Sequence, residues 1–153
     1  MPSESDPTTV RSIAVTAADV VAALELNRTS SDHAVLRLTP PFSGRMRARL
    51  HVEHEGGPRR EYAQDPRPIH IDPETLAPGA PPYPRPGETA DRLRTDPEET
   101  YTVDRHHEYH ASTVAQWRER VPTTVPDRVT LDTPAGPHEV AVSLLGDLEQ
   151  TDR

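Results

Sequence analysis

Two runs in which apolar and polar residues alternate, HAVLRLT and RMRARLHVEH, flank the short segment PPFSG. A period of two on either side of a turn segment predicts a β-hairpin. With Phe42 at the centre of the turn, Leu38 pairs with Met46, Leu36 with Ala48 and Ala34 with Leu50, which gives one continuous apolar face. A slip of one residue would send every one of these side chains to the other face, so the pattern itself limits the register. The opposite face then pairs Thr39 with Arg45, Arg37 with Arg47, Val35 with Arg49 and His33 with His51. Four guanidinium groups, those of Arg37, Arg45, Arg47 and Arg49, share one surface, with Phe42 at its tip.

Residues 33–60 contain six arginines against two carboxylates, whereas the rest of the chain has eleven arginines against twenty-three. Like charges facing each other across a sheet are unfavourable by about 0.2–1 kcal/mol. Such a face requires either compensating carboxylates, for which Glu53, Glu55, the acidic connection, Asp132 and Glu139 are the candidates, or an anionic partner. Arginine forms bidentate contacts with phosphate and carboxylate, so the partner classes are nucleic acid and acidic protein. Aromatic residues for base stacking are scarce beyond Phe42, Tyr62 and Tyr83, and no aromatic strand pattern of the RNA-recognition type occurs.

Of the 153 residues 33% are hydrophobic and 4% aromatic, enough for one modest core built on Val, Leu and Ala around Trp117, Phe42 and four tyrosines. All 17 basic residues are arginine, 25 residues are acidic and the net charge is -8. A lysine-free, acidic chain points to GC-rich coding and a salt-adapted host, where counterion release gives nucleic-acid binding little driving force. The absence of cysteine excludes disulfides, thiolate metal sites and a cysteine nucleophile. The start MPSESDPTTV lacks the basic and apolar regions of a signal peptide, and no run approaches the ~18 apolar residues of a membrane span. The expectation is a cytoplasmic protein without a membrane segment.

Residues 1–11 and 146–153 read as polar, disordered tails around a single α+β domain over 12–145. Residues 56–87 hold nine of the eighteen prolines and four of the seven glycines, including PGAPPYPRPG, and read as a stiff connection. The same run could serve as a polyproline ligand, with Tyr83 and Arg85 giving it direction. Thr16 followed by Asp19 starts a helix over 17–27. Asp96-Pro97-Glu98-Glu99 has the signature of a second start. From it a stripe of Val103, His107, His110, Val114, Trp117 and Val121 leads to Pro122, predicting a helix over 97–121, with a break near 110 as the competing reading. DRVTLD and HEVAVSLL around TPAGP predict a second hairpin in which Val129 and Leu131 face Val142 and Val140. The architecture expected is an α+β two-layer sandwich, an antiparallel sheet of two β-hairpins covered by two main helices.

Eight histidines are present, grouped most densely in DRHHEYH and HVEH. On a helix His106 and His110 face one way and can chelate a metal with a further donor from His107, Glu108 or the His51/His54 group. The order is not HExxH, and the competing reading makes His107 and His110 half-buried members of the helix stripe. No serine stands in a G-x-S-x-G elbow, and neither a P-loop nor GxGxxG occurs. No catalytic residue is assigned and no cofactor is expected. The leading expectation is therefore a non-enzymatic binding module that presents Arg37, Phe42, Arg45, Arg47 and Arg49 to an anionic partner. The alternatives are a metal-dependent enzyme built on His106, His107 and His110, and a structural homo-oligomer.

The run ADVVAALELN followed by AVLRLTPPFSGRMRARLHVEH resembles small uncharacterised proteins of halophilic archaea. The resemblance implies a helix-plus-hairpin unit and carries no catalytic residues with it.

Overall fold

Ile13 and Val15, the apolar members of SIAVT, are buried in β1 (Ser12–Thr16), which lies at the centre of the protein although the expected organisation had no strand there. The computed structural model describes residues 5–53 and 67–146. Within the expected N-terminal tail, Pro7–Thr9 form a 3-10 turn capped by Asp6, and Val10 is fully buried. Residues 5–11 are therefore part of the fold, whereas 1–4 and, in the expected C-terminal tail, 147–153 lie outside the described residues.

The chain runs from β1 directly into α1 (Ala17–Thr29), whose N-cap is Thr16 as expected, its hydroxyl accepting from Asp19 N at 3.1 Å. Val20, Val21, Ala23 and Leu24 are buried from this helix. The helix does not stop at Asn27. That side chain instead imitates a strand edge, donating to Ala34 O at 2.9 Å and accepting from Ala34 N at 2.6 Å, and so fixes the end of α1 to the next strand.

The fold is α+β, with helices packed on sheets, and the strands form two sheets. In one, β3 (Arg45–Arg47), β1, β7 (Gly136–Leu145) and β6 (Arg128–Thr133) lie in that order. β1 is parallel to both β3 and β7, while β6 and β7 form the antiparallel second hairpin. In the other, β4 (Arg49–Glu53), β2 (His33–Leu38) and β5 (Ile69–Ile71) are antiparallel. α1 covers the face of this sheet that carries Ala34, Leu36 and Ile71.

Both hairpins shift register by two residues, a displacement that preserves which side each residue faces, but Leu50, expected on the apolar face, is exposed and Val35, expected on the arginine face, is buried. In the first, Leu36 pairs with Leu50 and Arg37 with Arg49. The reason is that β1 takes Arg45–Arg47 as a parallel partner, and Ala48 N donates to Ala14 O at 2.9 Å, so the return strand changes sheets at Ala48. In the second, Val129 pairs with Val140 because the turn is reduced to Pro134 and Ala135, closed by Thr133 and by Gly136 at φ 107°. A left-handed conformation of that kind favours glycine.

Of the expected connection, 56–66 lies outside the described residues, and the remainder is structured. It contains β5, α2 (Pro73–Leu76) and the beginning of α3 (Pro86–Thr95), none of which was anticipated. Asp96-Pro97-Glu98-Glu99 does not open a helix. Asp96 ends α3, and its carboxylate and carbonyl accept from Glu98 N and Glu99 N in a tight turn. The long helix α4 (Val103–Arg120) starts at Thr102 and runs unbroken through residue 110. Its inner stripe runs through His106, His110, Val114 and Trp117, while Val103 and His107 are exposed.

The proline run behaves as a connector bound to its own helix. Trp117 Nε1 donates to Pro81 O at 2.8 Å, and the Tyr83 ring meets the Trp117 ring edge-on at 4.9 Å. Glu25 completes the clasp by accepting from Tyr83 Oη at 2.8 Å and from Nε and one terminal nitrogen of Arg118, each at 2.8 Å, tying α1 to α4. Burial, together with the Glu25 carboxylate, pushes the Tyr83 hydroxyl up to about 12. The hydrogen bonds from Arg118, and less so that from Tyr83, hold the Glu25 carboxyl below its ordinary range.

A depressed folded-state pKa stabilises above the unfolded value of about 4.3, and the contribution is lost as pH falls through the folded value. The pair is partly exposed, so Glu25→Gln is expected to lose up to about 1 kcal/mol at neutral pH. Urea unfolding from pH 7 to pH 3 should show the gap to the parent protein closing at the acid end. A gap independent of pH would show that the charge contributes nothing.

Candidate functional site

Alternation along residues 45–49 turns Met46 and Ala48 inward and leaves Arg45, Arg47 and Arg49 exposed. β3 and β4 are consecutive, so these three guanidinium groups run along one stretch of chain where it crosses from one sheet to the other. Among the described residues none of the three forms an ion pair. Of the carboxylates that could have compensated them, Glu53 pairs with His33 and His70, Glu139 with Arg128 at 2.7 Å, Asp72 with His33 and Glu74 with Arg28, while Asp132 pairs with none of the three and Glu61 and Asp65 lie outside the described residues. Glu55 lies outside the described residues. Beside Arg45 and Arg47 an open depression of about 530 Å³ is lined by Ser12, Ala14 and Ser143, whose small side chains let a ligand approach the sheet.

Two members of the expected face behave differently. Phe42 is not at an exposed tip; it is 2% exposed and belongs to the main core, because the chain between β2 and β3 leaves the sheet and folds its aromatic ring inward. Arg37, half-buried, turns towards histidines on the two neighbouring strands, donating from Nε to His70 Nε2 at 3.2 Å and from a terminal nitrogen to His51 Nε2.

This second group lies on the side of the three-stranded sheet away from α1. His51 stands opposite Val35 and Glu53 opposite His33, while His70 stands opposite Arg37. The His51 and His70 rings lean together to a centroid distance of 5.5 Å. A guanidinium only donates, so both Nε2 atoms are acceptors and the His70 proton sits on Nδ1, 2.6 Å from Glu53 Oε1. His33 reaches the other Glu53 oxygen and Asp72, each at 3.3 Å. The sequence pattern marks His51 only as an accessory donor and does not mark His70. The one signal for His70 is the alternation Ile-His-Ile, too short to establish a period; His54 lies outside the described residues.

His106 and His110 are brought together as their spacing implied, and both face Thr89 of α3. His106 Nε2 and His110 Nδ1 each lie 2.9 Å from Thr89 Oγ1, which is 1% exposed. His106 Nε2 is also 3.0 Å from Pro86 O. The pair thus joins α3 to α4, and His107 points away, exposed. Among the described residues, the group of three donors placed to hold a metal is His51, Glu53 and His70.

No helix among the described residues is long and apolar enough to cross a membrane. Residues 1–146 match the family described as Domain of unknown function (DUF8009), and the chain belongs to that family. No curated protein and no solved structure matches it.

Proposed function

We propose that this member of a family of unknown function is a non-enzymatic binding module that grips a nucleic-acid strand by its phosphates. The observation that carries the reading is the row Arg45, Arg47 and Arg49, exposed at alternate positions and without a carboxylate partner among the described residues. Arg45 and Arg47, alternate residues of β3, lie roughly 6.5–7 Å apart, comparable to the spacing of successive phosphates along a nucleic-acid strand, and Arg49 follows where the chain crosses to the other sheet. Each guanidinium can bind a phosphate through two parallel hydrogen bonds. With Phe42 in the core and Tyr83 packed on Trp117, neither ring is offered to bases, so recognition by the described residues is of the backbone and tolerant of sequence. The lysine-free, acidic composition supports a salt-adapted host, and the resemblance to small proteins of halophilic archaea supports an archaeal one. There, exposed charges are heavily screened and bidentate hydrogen bonds do more than long-range attraction.

The test is fluorescence anisotropy of labelled single-stranded RNA and DNA over a KCl series. The triple variant Arg45→Ala, Arg47→Ala, Arg49→Ala is expected to bind at least tenfold more weakly. The slope of log affinity against log salt should fall by about 2, since each single-strand phosphate contact contributes about 0.7. Equal affinity in parent and variant would overturn the reading. Binding of an acidic peptide but of neither nucleic acid would assign the surface to an acidic protein instead.

A further inference from the structure

The geometry points to a divalent transition-metal site formed by His51, Glu53 and His70. One donor atom from each lies within 4.8 Å of the other two. β2 separates β4 from β5, so the two strands that carry these residues are roughly 9.5 Å apart. The imidazole centroids nevertheless approach to 5.5 Å. Both Nε2 lone pairs are directed at a single cation, the Arg37 guanidinium, which makes the pair a cation receptor already.

Glu53 accepts from the far side of the His70 ring, the outer-shell arrangement that fixes tautomer and orientation in metal-ligating histidines. His33 and Asp72 extend this polar shell behind it. Bonds of about 2.1 Å around a tetrahedral ion place donors about 3.4 Å apart, so small side-chain rotations close the site. Imidazole nitrogens with one carboxylate suit zinc, cobalt or nickel, whereas calcium and magnesium prefer all-oxygen sets. With the ion at the Arg37 position, the two imidazole nitrogens form its inner shell and Glu53 orients His70 from outside it, which leaves coordination positions for water or for donors beyond the described residues. Arg37 occupies the place the ion would take, so it competes with metal and must swing aside. The site is independent of the arginine row and does not rest on that reading.

The full chain, freed of metal by dialysis against a chelator, would be titrated with Co²⁺ by absorbance and with Zn²⁺ by calorimetry. The expected result is one equivalent bound, at least tenfold weaker in His51→Ala and in His70→Ala, and unchanged in a His106→Ala, His110→Ala double variant. Arg37→Ala is expected to bind more tightly, a gain that misfolding cannot imitate. No saturable binding, undiminished binding in His70→Ala, loss of binding in the His106/His110 variant, or weaker binding in Arg37→Ala would each overturn the assignment.

Discussion

Replacing Phe42 by alanine is expected to destabilise the protein by about 3–5 kcal/mol, the usual cost of emptying a buried aromatic site. Phe42 is the largest side chain among those fully buried and packs into the same cluster as Ile13, Leu36, Leu38 and Leu131. Domains of this size are stable by about 5–15 kcal/mol, so the variant should lose a large share of the protein's stability. Urea unfolding followed by circular dichroism measures the loss, and Phe42→Leu, which refills part of the volume, should lose less. A variant as stable as the parent but deficient in nucleic-acid binding would return Phe42 to the surface as an anchor.

Trp117→Ala is expected to have an effect of the same order, about 3–5 kcal/mol, through a different contact. The indole is 3% exposed, donates to Pro81 O and packs against Tyr83, so its removal both empties a site and releases the 81–85 segment from α4. Trp117→Phe keeps an aromatic ring and loses the hydrogen bond, worth about 1 kcal/mol. Denaturant unfolding gives the two values, and two-dimensional NMR should show the Tyr83 and Arg85 signals, the only amides in a segment with three prolines, moving to disordered positions in Trp117→Ala while the amides of β1 and β7 stay protected. Uniform loss of protection would show that the proline segment is no separate unit.

The faces of the strands were legible because side-chain direction in a strand depends only on parity. Ala34, Leu36 and Leu38 were therefore placed on the core side, and Arg45, Arg47 and Arg49 outside, even though both registers shifted by two. The Thr16 cap was legible because it is a contact three residues long. The Asp96-Pro97 signature misled for the same reason. Its hydrogen bonds are those of a turn as much as of a helix start, and the α3 that it terminates decides between them.

Composition and local pattern by themselves determined an α+β chain with one arginine-bearing hairpin, a capped helix before it and a second hairpin near the C-terminus. They could not supply β1, whose five residues acquire strand character from parallel partners far away in the chain. Nor could they send Phe42 inward, a consequence of β1 capturing Arg45–Arg47 and pulling the return strand between sheets. The His51, Glu53 and His70 group is likewise tertiary: its members lie on two strands brought to either side of β2, one of them inside a proline-rich stretch that reads locally as a connector. Local sequence sets which way a side chain points, through backbone geometry that spans a few residues. Which side chains meet is set by the pairing of distant strands, whose free energy is paid out only when the whole sheet closes.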